Sequence, residues 1–118
     1  MDEKPTTLTE AAFYILLSLY EPLHGYGIMQ KVMQMSGGRV QLGAGTLYGA
    51  LSTLVERGWI VEGAQYDRKK EYLITSWGHA AVLTEITRLG ELLANGQEVL
   101  QSAGYNLWAA DHFLEQSE

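Results

Sequence analysis

Three rhythms of apolar residues divide this chain. The positions Leu8, Ala12, Ile15, Leu16 and Leu19 recur at helical spacing and predict a first helix over residues 9–20. Thr6, Thr7 or Thr9 can supply its N-cap oxygen, and Pro22 ends it, because the residue before a proline disfavours the helical region. Ile28, Met29, Val32 and Met33 predict an inward face for a second helix over 25–36, stopped by Gly37 and Gly38. Leu47, Ala50, Leu51 and Leu54 form the buried stripe of a third helix over 44–58. The rhythm then changes. Residues 59–64 and 69–75, the latter rich in Tyr72, Leu73 and Ile74, read as two strands around the polar turn Gln65-Tyr66-Asp67-Arg68. A long helix follows over 76–103, opened by a Thr75 or Ser76 cap. Its positions Val82, Ile86, Leu89, Leu93, Gly96 and Leu100 lie alternately four and three apart, a heptad-like seam with Leu83, Leu92 and Val99 beside it. Residues 1–7 read as a loose arm. Residues 106–115 read as a short amphipathic helix carrying Leu107, Trp108, Ala110 and Phe113.

The predicted architecture is mainly α with a small β-hairpin (α+β). Three short helices followed by a hairpin is the order of a winged helix-turn-helix, here with a long C-terminal helix for dimerisation. The expected division is a DNA-binding winged helix-turn-helix over 1–75 and a helical dimerisation region over 76–118. The DNA major groove admits one helix, and a helix-turn-helix presents its second helix there, N-terminal end first. In this chain that is the third predicted helix. With Leu47 at the centre of its buried side, a step of about 100° per residue turns Thr46, Gly49, Ser52, Thr53, Glu56 and Arg57 outward. Tyr48 flanks that arc. Threonine and serine hydroxyls bond bases or phosphates, and Gly49 permits close approach. Arg68, Lys69 and Lys70 form a cluster of bases at the hairpin, suited to the phosphate backbone. Lysines there also guard an exposed strand edge. At roughly 1.5 Å per residue the long helix spans about 40 Å, too much for so small a body to cover. Its seam therefore predicts a second copy as partner, meeting through Val82, Ile86, Leu89, Leu93 and Leu100. The resulting two-fold symmetry matches a palindromic operator in double-stranded DNA.

Charge qualifies this reading. The net charge is −6, yet the acid sits at the ends: residues 1–21 carry −3, residues 76–118 carry −5, and residues 22–75 carry +2. That distribution suits a DNA-facing centre with an acidic outer body. Hydrophobic residues make up 47% of the chain and charged residues 19%, a globular balance rather than a disordered one. Cysteine is absent, which excludes disulfides and thiolate metal sites and fits a reducing compartment. The acidic start, Met1-Asp2-Glu3-Lys4, has the wrong sign for a secretory leader, and no apolar run approaches membrane length. The expected location is cytoplasmic. His24, His79 and His112 are scattered, and no glycine-rich phosphate loop, metal-binding spacing or nucleophile elbow occurs. No catalytic, metal or cofactor residue is assigned.

The segments His24-Gly25-Tyr26-Gly27-Ile28 and Gly45-Thr46-Leu47-Tyr48-Gly49-Ala50-Leu51 are followed by Leu54, Gly58 and Ile60. Then comes Arg68-Lys69-Lys70-Glu71-Tyr72-Leu73-Ile74-Thr75, with Gly78 beyond it. Together these resemble the PadR family of transcriptional regulators over about residues 8–103. The first motif alone is weak; the succession, in family order and spacing, is specific. The tail resembles the compact subgroup, whose single long C-terminal helix mediates dimerisation. The resemblance implies a repressor that binds an inverted-repeat operator as a homodimer, with the third helix in the major groove and the wing on the backbone or minor groove. It implies Thr46, Tyr48, Lys69 and Lys70 as principal contacts; Ser52, Thr53 and Arg68 come next on geometry. His24 is expected to open the second helix as a cap, and Tyr26 to offer a ring to the core or to the DNA side. Three departures stand out. Gly43-Ala44 replaces the usual polar cap, and Glu71 stands where a ring or base is commoner. Some drug-responsive relatives line a dimer cavity with rings from the long helix, whereas residues 80–104 contain none. A small-molecule inducer is left open. The competing reading is a winged-helix adaptor that docks protein and does not bind operator DNA.

Overall fold

The computed structural model describes residues 8–105. The predicted arm over 1–7 and tail helix over 106–115 lie outside the described residues. The elements are α1 (Glu10–Ser18), β1 (Leu23–His24), α2 (Gly25–Met35), α3 (Ala44–Glu56), β2 (Ile60–Tyr66), β3 (Lys69–Ile74) and α4 (Ser76–Ser102). By compactness the chain divides into two units, Met1–Glu85 and Ile86–Glu118.

In the first unit each helix starts where the sequence supplies a cap. Thr9 Oγ1 accepts the Ala12 N–H at 3.1 Å and opens α1. His24 Nδ1 accepts the Gly27 N–H at 3.4 Å and opens α2. Thr75 Oγ1 accepts the Gly78 N–H at 3.1 Å and donates to the Gly58 carbonyl at 2.7 Å, so Thr75, not Ser76, caps α4. The exception is α3, which begins on Gly43 with no side-chain cap. Gly58, at φ 78°, ends α3: its N–H bonds the Val55 carbonyl at 2.9 Å while the Trp59 N–H reaches Leu54 at 3.0 Å. Only glycine takes that left-handed turn without strain.

Several boundaries differ from the sequence reading by one or two residues, and two of them have a structural reason. α1 ends at Ser18 rather than at Tyr20, because the chain turns early and the Leu19 carbonyl accepts the Ile74 N–H at 3.1 Å. β2 runs on to Tyr66, which leaves a two-residue turn, Asp67-Arg68, both at positive φ. That is the conformation that matches the twist of a tight hairpin.

The sheet is three-stranded and antiparallel in the order β1-β3-β2. β1 is the addition. Its two residues pair Leu23 with Tyr72 and His24 with Glu71, tying the start of α2 to the hairpin. The core of the first unit is Ile15, Leu16 and Leu19 from α1 and its end, Ile28 and Val32 from α2, and Leu47, Leu51 and Leu54 from α3, closed by Ile60, Tyr72 and Val82. Met33 was expected to face inward and is exposed; the buried stripe of α2 is Gly25, Ile28 and Val32, and Met33 lies one helical step to its side. In the second unit Ile86, Leu89, Leu92, Leu93 and Val99 are exposed. Among the described residues no helix is long and apolar enough to cross a membrane.

Candidate nucleic-acid interface

Burying Leu47, Leu51 and Leu54 turns the opposite side of α3 to solvent. Thr46, Tyr48, Gly49, Ser52 and Thr53 are all exposed, as the helical step requires. The uncapped start of α3 leaves backbone N–H groups free to meet an anion.

β1 brings the start of α2 against β3, and β3 continues into the tip of the hairpin. The result is an open cleft of about 470 Å³ lined by His24, Gly25 and Tyr26 from α2 and its cap, Tyr48 from α3, and Arg68, Lys69, Lys70 and Tyr72 from the hairpin. Four predicted contacts, Tyr48, Arg68, Lys69 and Lys70, thus share one concavity. Gly25 is what lets Tyr48 lie there: a Cβ at position 25 would stand 2.2 Å from the Tyr48 hydroxyl oxygen. Thr46 and Ser52 are on the exposed side of α3 and do not line the cleft. Thr53 and Arg57 line a second, largely apolar cleft of about 230 Å³ with Leu8, Ala12 and Trp59. There Arg57 sits 5.2 Å from the centre of the Trp59 ring.

The cations differ in what already holds them. Lys31 is paired with Glu21 at 2.5 Å and Arg39 with Glu10, whose carboxyl that hydrogen bond holds below its ordinary range. Lys70 Nζ lies 3.3 Å from Glu62 Oε2 across the hairpin. Arg88 has an interaction of its own. Among the described residues, Arg68 and Lys69 are the cations with no such partner. At the cleft floor, burial pushes the Tyr72 phenol above its ordinary value, so it stays a neutral hydroxyl beside Lys70.

The sequence reading left two lining residues unassigned. For Tyr26 the sequence allows either the core or the DNA side; at 62% exposed it belongs to the surface of the cleft, with Gln30 Nε2 donating to its hydroxyl at 3.2 Å. By its sequence pattern Tyr72 is a strand residue and no more. The signal for both was the pairing of Leu23 and His24 with Tyr72 and Glu71, which a two-residue strand has no periodicity to announce. Of the residues predicted to pair two copies, Val82 is 3% exposed and packs in the core of its own unit, so it offers almost no surface to a second copy. Leu89 and Leu93 are exposed and Leu100 half-buried.

A three-helix body, a short third strand and a protruding basic hairpin define a winged-helix protein. A family model, the transcriptional regulator PadR-like family, matches residues 15–84, more than half the chain. The chain belongs to that family. No curated protein matches it. Among solved structures, RosR of H. salinarum is 24% identical, with a TM-score of 0.59, covering 79% of this chain and 96% of its own. A transcriptional regulator from Clostridium thermocellum is 23% identical, with a TM-score of 0.62 and coverage of 73% and 87%. Sso10a-2, a DNA-binding protein from Sulfolobus solfataricus, is 19% identical, with a TM-score of 0.56 and coverage of 82% and 95%. At these identities the likeness concerns the fold.

Proposed function

We propose that this chain is a sequence-specific regulator that binds double-stranded DNA, represses transcription in the cytoplasm, and works as a homodimer on an inverted-repeat operator. The observation that carries the reading is the hairpin tip: Arg68 and Lys69, unpartnered cations in an acidic protein, stand over the same cleft as Tyr48 of α3. Unpaired cations beside an exposed, acid-poor helix end suit a polyanion. In this reading Thr46, Tyr48, Ser52 and Thr53 face the major groove, while Arg68, Lys69 and Lys70 hold the backbone. Residues 1–75 do the binding and residues 76–118 the pairing, through Ile86, Leu89, Leu93 and Leu100. Family membership supports transcriptional regulation, and the fold it shares with a DNA-binding protein agrees. An enzymatic reading gains nothing from the histidines: His24 is a helix cap, and His79 Nδ1 is hydrogen-bonded to the Tyr20 hydroxyl at 2.6 Å. The test is selection of bound fragments from randomised duplexes. Enrichment of an inverted repeat is expected. No enrichment, together with duplex binding indifferent to salt, would contradict the reading and favour a protein-docking adaptor.

A further inference from the structure

Lys70 is the one base of the wing already engaged, and its partner is placed by the pairing of the two hairpin strands. β2 and β3 pair Glu62 with Tyr72 and Gln65 with Lys70, with a register shift between Glu62 and Gln65. Residues paired across antiparallel strands share a face, and so do residues two apart on one strand. Glu62, Tyr72 and Lys70 therefore lie on one face, which Tyr72 and Lys70 turn to the cleft. Lys70, two residues along from Tyr72, is the diagonal neighbour of Glu62 on that face, and their side chains lie 3.3 Å apart. Both are about half exposed, at 42% and 49%, so the pair is solvated and exchangeable.

We infer that Glu62 sets the affinity of the wing by competing with a DNA phosphate for Lys70. The inference rests on the DNA-binding reading above. Either Lys70 leaves Glu62 when DNA arrives, stranding a carboxylate beside a polyanion, or it stays and one phosphate goes unneutralised. Both routes weaken binding. Glu62 thus holds the wing below the affinity its three bases would give. Contacts from α3 then decide where the protein stays, and binding to DNA of any sequence is kept low.

The test is binding to a mixed-sequence duplex across a range of salt, for the parent, Glu62→Gln, Lys70→Ala and the double variant. Glu62→Ala serves as a second deletion of the charge and must behave like Glu62→Gln. Removing the carboxylate should tighten binding about two- to fivefold per wing. It should also steepen the dependence of log affinity on log salt by up to about 0.9 per wing. In the Lys70→Ala background the same change should do much less. A gain of equal size with and without Lys70 would overturn the inference, since Glu62 would then act only as bulk negative charge. So would unchanged affinity and slope in Glu62→Gln while the parent binds with normal salt dependence. A parent that binds the duplex at no salt concentration would instead sink the DNA-binding reading, and this inference with it.

Discussion

Arg68 occupies a position that glycine would fill at lower cost. It is the second residue of the hairpin turn, at φ 68°, following Asp67 at φ 48°. An L-residue in the left-handed region carries a clash between its Cβ and the neighbouring carbonyl, worth roughly 1–2 kcal/mol. Arg68→Gly removes that clash and creates Asp-Gly, a favoured pair for this turn. Against it stands the greater backbone freedom that glycine loses on folding, about 0.5–1 kcal/mol. The balance is a gain of about 0.5–1 kcal/mol per chain. For a domain of this size that raises Tm by roughly 2–6 °C. Binding should move the other way. With one fewer phosphate neutralised by each wing, the salt slope shallows by about 0.9, or about 1.8 for two wings on one duplex. A fourfold rise in salt should then cost the variant roughly tenfold less affinity than it costs the parent. Thermal melts at one fixed protein concentration, with salt titrations of duplex binding, measure both effects; the concentration matters because self-association couples to stability. Opposite signs are the signature of a side chain kept for its charge against the preference of its backbone. A variant less stable than the parent, or one that binds with unchanged slope, would refute the argument.

Three further outcomes follow from the geometry. Gly78→Ala places a Cβ 2.1 Å from the Trp59 carbonyl oxygen, a backbone atom that accepts the Thr75 N–H. It should destabilise by about 1–3 kcal/mol in urea unfolding despite alanine's better helix propensity; neutral stability would show that the α4 start is not packed so closely. Gly25→Ala makes a similarly short contact, but with the end of the flexible Tyr48 side chain. Its stability should change by under about 1 kcal/mol, because Tyr48 can turn aside. Duplex affinity should fall as it does in Tyr48→Ala, and full affinity would remove Tyr48 from the interface. Leu89→Glu with Leu93→Glu puts charge on exposed positions of the proposed seam; sedimentation should show loss of the dimer and binding assays loss of operator affinity, and a persistent dimer would refute the seam.

What could be read from the sequence follows where the physics is local. The stripes Leu47, Leu51, Leu54 and Ile28, Val32 repeat at the helical period, and their burial sets both helices and their outward faces. The His24 and Thr75 caps and the glycine stop after α3 are likewise properties of a few adjacent residues. The cleft is different. It exists because Leu23 and His24, too few to show any period, pair with Tyr72 and Glu71 far along the chain. Hence Tyr26 and Tyr72 gained a place beside the wing that no local pattern announces. Val82 fits the heptad spacing as well as Leu89 does; which of them faces its own core depends on where the seam leaves the first unit, a tertiary fact. The one ion pair of the wing is set by pairing as well, since Lys70 meets Glu62 across the two strands in a register that the sequence does not mark.

Sedimentation equilibrium of the chain alone and with an inverted-repeat duplex taken from the selection decides whether paired chains hold DNA. The protein should sediment at twice its 13.1 kDa chain mass and should load two chains onto each duplex, releasing them as salt rises. A species of single-chain mass, or a dimer that takes up no duplex at any salt concentration, would contradict the account.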